Sequence, residues 1–207
     1  MINPTEITNY NRTEAELEEF LLFAILVAGK TAKTQAKKLN EFLQTIGAMN
    51  MGRKSSPFND IKHSLQLQKF FKEQHNDDVD LLGHQMRKHG LGQYNRIGQA
   101  FRGILKFKGK LKTITVQDLE SVKGIGSKTA RFFILHSRPD AQIACLDVHI
   151  LKWLDDLSYP NIPLATPSKN RYGIIEQYFL KEARNRGVSP ADLDLRIWKS
   201  YSQKALA

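Results

Sequence analysis

Only one of the 207 residues is a cysteine, Cys145, and that scarcity removes several chemistries at once. A lone thiol excludes an intramolecular disulfide, a zinc finger and any cluster ligated by this chain's own cysteines. It fits a reducing, intracellular compartment. Long apolar runs are missing too. Phe20 to Ala28 is far too short to span a bilayer, and Met1 to Tyr10 lacks the basic region and cleavage pattern of an export signal. No internal repeat or low-complexity tract appears. Acidic residues are in deficit, 21 against 31 Lys and Arg, for a formal charge of +10 and a pI near 9.7. Charge alone leaves open a polyanionic partner or a merely basic surface.

What is present reads as helix after helix. Apolar content of 41% is enough for a sizeable core. Thr13 with Glu16 forms a capping-box signature, followed by Leu17, Phe20, Leu21, Ala24 and Val27 at helical spacing to about Ala28. Thr31 to Ile46 repeats the pattern and is expected to stop at Gly47. Pro57 opens a helix to about Gln74, and Asp77 to His89 reads as a shorter one closed by Gly90. Tyr94 to Leu105 is helical again. Lys106, Lys108, Lys110 and Lys112 alternate through a connector, but the central Gly109 argues against a strand. Thr115 caps Val116 to Val122, Ser127 is expected to cap Lys128 to Ser137, and Asp147 to cap Val148 to Leu157. Two prolines break Tyr159 to Ala165. Thr166-Pro167 opens a helix to about Arg186, and Ser189-Pro190 opens the last, Ala191 to about Ser202. The expected fold class is all-α.

Chemistry concentrates in one stretch. Lys123-Gly124-Ile125-Gly126-Ser127-Lys128 places a Gly-x-Gly turn between two helical patterns. Glycines there permit positive φ and close approach of a phosphate to backbone amides at a helix N-terminus. An ordinary glycine-capped turn has the same local signature. Lys128 suits phosphate contact, simple exposure or, when desolvated, nucleophilic attack on a sugar carbon with Schiff-base formation. Asp147, nineteen residues later, suits a helix cap and also stabilisation of positive charge on a reacting sugar.

Taken together, Leu119 to Leu154 resembles the helix-hairpin-helix Gly/Pro-Asp superfamily of DNA glycosylases. The Gly-x-Gly hairpin, the lysine after it and Leu146-Asp147-Val148-His149 match in order. Gly92-Gln93-Tyr94-Asn95-Arg96 and Leu193-Asp194-Leu195-Arg196-Ile197-Trp198 are similar to segments of the type-2 8-oxoguanine DNA glycosylase/AP lyases. Val148 departs from that subgroup, where a more polar residue is expected. The resemblance implies a two-lobed fold with its active site in the cleft, the lobes being 1–30 plus 145–207 and 31–144, with the helix-hairpin-helix at 115–137. It implies base-excision repair by a bifunctional N-glycosylase/AP lyase. Lys128 would be the Schiff-base nucleophile and Asp147 the charge stabiliser.

It further implies DNA contacts from Lys123, Gly124, Gly126, Ser127, Arg131, His149, Tyr94, Asn95 and Arg96. Trp198, Asp194 and Met86 become candidates for the base pocket. For these the residues themselves also allow core packing for Trp198, gap filling for Met86 and turn capping for Tyr94 and Asn95. The implied partner is double-stranded DNA with a damaged base, bound by a DNA-associated monomer in cytoplasm, nucleoid or nucleus. No cofactor, metal or iron–sulfur cluster is expected. A glycosylase for oxidised pyrimidines and a non-catalytic helix-hairpin-helix DNA-binding module are the alternatives.

Overall fold

The computed structural model describes residues 1–50, 55–75 and 80–204, with the side chains of 75 and 202–204 left aside. Every regular element among the described residues is an α-helix: α1 (Glu14–Val27), α2 (Ala32–Ala48), α3 (Pro57–His75), α4 (Leu81–Lys88), α5 (Tyr94–Ile104), α6 (Val116–Glu120), α7 (Ser127–Leu135), α8 (Val148–Asp156), α9 (Lys169–Asn185) and α10 (Pro190–Lys204). The chain divides into two compact units, one of residues 1–7 and 11–125, the other of 8–10 and 126–207.

The first unit is built around α1, which packs on α2, α3 and α5. Leu17 and the unbroken run Phe20 to Leu26 are buried, so α1 is covered on every side, as expected of a helix that is apolar all round. This corrects the expected lobes. Residues 14–27 group with the central helices because their apolar surface is covered there. Thr13 and Glu16 close a full capping box at the start of α1, and Thr115 with Asp118 closes another at α6. Gly47 does not stop α2, which runs to Ala48: the glycine lies where a Cβ would stand 3.3 Å from Asp60 Oδ2. The predicted start at Asp77 lies outside the described residues, and α4 begins after its cap, Asp80. The lysine-rich connector forms no strand, and Lys106, Lys108, Lys110 and Lys112 are all exposed.

The second unit packs α10 on α8 and α9 around Leu146, Leu151, Leu154, Phe179, Leu193 and Ile197. Its N-terminal contribution is a short strap. Asn9 N donates to His136 O at 3.2 Å, and Thr8 Oγ1 lies 2.8 Å from His136 Nδ1. Thr166-Pro167 does not open α9. Ser168 is its N-cap and the helix starts at Lys169, beyond the proline.

Candidate active site

α7 begins at Ser127 and its N-cap is Gly126, not Ser127. The serine is already helical, so no side chain caps the first turn. The two glycines before it have different reasons to be glycine. Gly124 has φ +97°, and a Cβ there would stand 2.4 Å from Arg96 O and 3.3 Å from Ala100 N. Its missing side chain is taken up by α5, a packing role rather than phosphate approach. Gly126 has φ −99° and nothing within 4 Å of the Cβ position. Open space beside uncapped N-terminal amides is what an anion at a helix N-terminus requires.

Lys128 lies in the first turn of α7. Its Nζ is 3.8 Å from Asp147 Oδ2, with side-chain exposures of 31% and 16%. That separation is an ion pair but too long for a hydrogen bond. Asp147 divides its oxygens: Oδ1 accepts from His149 N at 2.9 Å and from Ile150 N at 3.0 Å, while Oδ2 faces the lysine. One carboxylate therefore caps α8 and offers charge to the lysine at the same time.

Two residues of α9 brace the surroundings of the Lys128–Asp147 pair. Tyr172 OH accepts from Leu146 N and donates to Ala144 O, both at 2.9 Å. Glu176 Oε1 accepts from Ala144 N at 2.9 Å and from Arg131 Nε at 3.1 Å. The Arg131 guanidinium also stacks 4.1 Å over the Tyr172 ring. Residues of one helix thus hold the segment leading to Asp147 and the helix carrying Lys128. Burial holds the Tyr172 hydroxyl protonated far above the ordinary phenol range. Cys145 Sγ donates to Lys128 O at 3.6 Å, and burial pushes that thiol well up, which makes it a packing residue rather than a nucleophile.

No family model matches the chain. A curated 8-oxoguanine DNA glycosylase/AP lyase from Thermotoga sp. (strain RQ2) is 33% identical over 102 residues, 45% of this chain and 48% of that protein. The chain spans about half the length of that relative. The crystal structure of the Methanocaldococcus jannaschii 8-oxoguanine glycosylase/lyase in complex with a 15mer DNA containing 8-oxoguanine has a TM-score of 0.63 at 21% identity, over 97% of this chain and 87% of that one. A second structure, of the 8-oxoguanine DNA glycosylase from the same organism, gives 0.57 at 21% identity, over 96% and 84%. The fold is that of the 8-oxoguanine glycosylases.

Other residues matched to such glycosylases take varied places. Lys123, Tyr94 and Asn95 are exposed, and Ser127 and His149 are half-buried. Trp198 is 42% exposed on α10, beside buried Ile197, so the core-packing alternative does not hold. Arg131 is not open to a phosphate, because Glu176 and Tyr172 occupy its guanidinium. Arg96 is a brace: it donates to Gln93 Oε1 at 2.6 Å, Ile25 O at 2.9 Å and Gly124 O at 3.0 Å. Met86 is 1% exposed and packs over Gly98, a gap filler in the first unit. Asp194 is buried with Oδ2 3.3 Å from His136 Nε2, so it serves the interior rather than a purine edge. Sequence reading missed Tyr172, Glu176 and His136. Their partners lie 26 to 128 residues away, beyond any local pattern.

No helix among the described residues is long and apolar enough to cross a membrane.

Proposed function

We propose that this chain is a DNA glycosylase and AP lyase that removes 8-oxoguanine from duplex DNA. The observation that carries the reading is the Lys128–Asp147 pair at 3.8 Å, one residue inside a helix whose N-terminal approach is left open by Gly126. The relative's name and the shared fold support the same choice of lesion. A DNA-binding module needs the amides and the basic surface but neither member of the pair.

The lesion nucleotide is flipped out of the duplex, with a flanking phosphate held at the α7 amides. The Lys128 ammonium gives up a proton to solvent, and the resulting neutral amine attacks C1′. The C1′–N9 bond breaks and the base leaves with the electron pair and a proton, while Asp147 Oδ2 stabilises the cationic sugar. The nitrogen passes one proton to the departing base; the C1′–O4′ bond then breaks, O4′ taking a proton from solvent, to give the protonated imine between Nζ and C1′. Removal of the C2′ proton then expels the 3′ phosphate by β-elimination, and water hydrolyses the imine to free the lysine. Trp198, open on α10, supplies a stacking face for the extruded base, worth about 1–3 kcal/mol.

Borohydride trapping on duplexes that each hold one lesion tests the reading. Adduct and strand cleavage are expected on 8-oxoguanine and on an abasic site, and neither with Lys128→Gln. Absence of an adduct on every lesion sinks the lyase assignment. Activity on thymine glycol with none on 8-oxoguanine replaces the substrate.

A further inference from the structure

Cations of the first unit gather at the turn between α4 and α5, with no acid beside them among the described residues. Lys30, just beyond α1, donates from Nζ to Leu91 O at 2.6 Å, and Lys38 on α2 donates to the preceding carbonyl, Gly90 O, at 2.7 Å. Arg96, in the first turn of α5, adds a third charge. No carboxylate lies within ion-pair distance of any of the three among the described residues. Burial first, then the neighbouring charges of Arg96 and Lys38, push the Lys30 amine below the ordinary lysine range.

The backbone is shaped to admit these ammonium groups. Gly90 and Gly92 both have positive φ, +60° and +68°, and Cβ atoms there would stand 3.3 Å from Lys38 Nζ and 2.9 Å from Lys30 Nζ. Each ammonium spends one of its three donors on a carbonyl, which leaves two for a ligand. Both lysines are half-buried rather than enclosed. Holding a loop carbonyl needs only one donor, and a neutral side chain would do it without repulsion. Like charges gathered without a counter-charge are compensated when an anion arrives.

We infer that Lys30 and Lys38, with the charge of Arg96 beside them, form a binding site for a DNA backbone phosphate next to exposed Gln93, Tyr94 and Asn95. The site is additional to the amides at Gly126, and the inference rests on the reading of the chain as a duplex-DNA enzyme.

The test uses full-length protein carrying Lys128→Gln, which keeps the duplex intact, and follows affinity for an 8-oxoguanine duplex against salt. Each neutralised phosphate contributes a slope of about −0.9 in log affinity against log salt. Lys30→Gln with Lys38→Gln is expected to reduce the slope by roughly one phosphate contact, and Lys30→Arg with Lys38→Arg to keep it. An unchanged slope in a folded glutamine pair overturns the site. Should that pair unfold, amine footprinting of the unsubstituted chain decides. Lys30 and Lys38 should be protected from reductive methylation by the duplex, while Lys37, exposed and paired with Glu41, should not. Equal modification with and without duplex also overturns the site. Trapping at Lys128 is scored separately, so loss of this site leaves the enzyme reading standing.

Discussion

Gly124 and Gly126 are the same residue type two positions apart, yet substitutions at them should separate folding from binding. At Gly124 an added Cβ would meet a backbone oxygen at 2.4 Å while φ stays at +97°. Backbone strain of that kind costs about 1–3 kcal/mol before the clash is counted. Gly124→Ala is therefore expected to lower the melting temperature by several degrees. Gly126→Ala meets nothing and keeps an ordinary φ, so the melting temperature should hold while duplex affinity falls. Equal melting temperatures in the two variants would show that the close approach to α5 is not a constraint. Asp147 allows a similar separation. Asparagine caps a helix about as well as aspartate, whereas alanine loses about 1 kcal/mol of capping. Asp147→Asn should thus retain stability and lose base excision by at least about 100-fold, as when one charge-stabilising group is removed from a reacting centre. If Asp147→Asn cleaves at the parent rate, the cap is the residue's whole role. The motif was legible in sequence because it is local. The unlike duties of its glycines were not, because α5 fills one position and leaves the other empty.

Among the elements, α9 holds the backbone leading to Asp147 and the helix carrying Lys128, although it contributes neither residue. Tyr172 and Glu176 lie one turn apart on it and hold Ala144, Leu146 and Arg131. Tyr172→Phe removes a hydroxyl that both accepts and donates, and leaves Leu146 N and Ala144 O without their partner. Unpaired buried polar groups cost about 1–3 kcal/mol each, so a clear loss of stability is expected. The mechanism adds a second expectation. A shifted 144–146 segment carries Asp147 away from Lys128, so single-turnover base excision should fall while affinity for intact duplex is kept. Affinity and rate falling together would assign Tyr172 to folding alone. The helices themselves were readable from apolar spacing and caps: the Thr13–Glu16 box, Asp147 at α8 and the break at Tyr159–Ala165 all act within a few residues. What α9 holds was not readable, since hydrogen bonds spanning 26 to 45 residues exist only once the unit has folded.

At the scale of the whole chain, acid titration should separate surface caps from a buried carboxylate. Hydrogen bonds from Thr13 hold Glu16 below its ordinary range, and those from Thr115 do the same for Asp118. Their contribution is present above the unfolded value and is lost as pH falls through the folded one. Asp194 has the opposite sign. Burial raises it most; hydrogen bonding and charge from His136 lower it; Asp147 raises it and Lys128 lowers it. The contribution of its protonated form is fully present below the unfolded value, near 3.9, and is lost as pH rises through the folded value. Asp194→Asn removes that loss while asparagine can still accept from His136 Nε2. The variant should therefore gain in melting temperature relative to the parent as pH rises from 4 to 7, and comparison with the parent cancels the caps. Because Lys128 lowers Asp194, replacing it with glutamine should make the ionised carboxylate costlier still. The gain from Asp194→Asn at pH 7 is then larger in the Lys128→Gln background than in the parent. A gain that is the same in both backgrounds would mean that Asp194 does not feel the lysine, and would uncouple the buried carboxylate from the site.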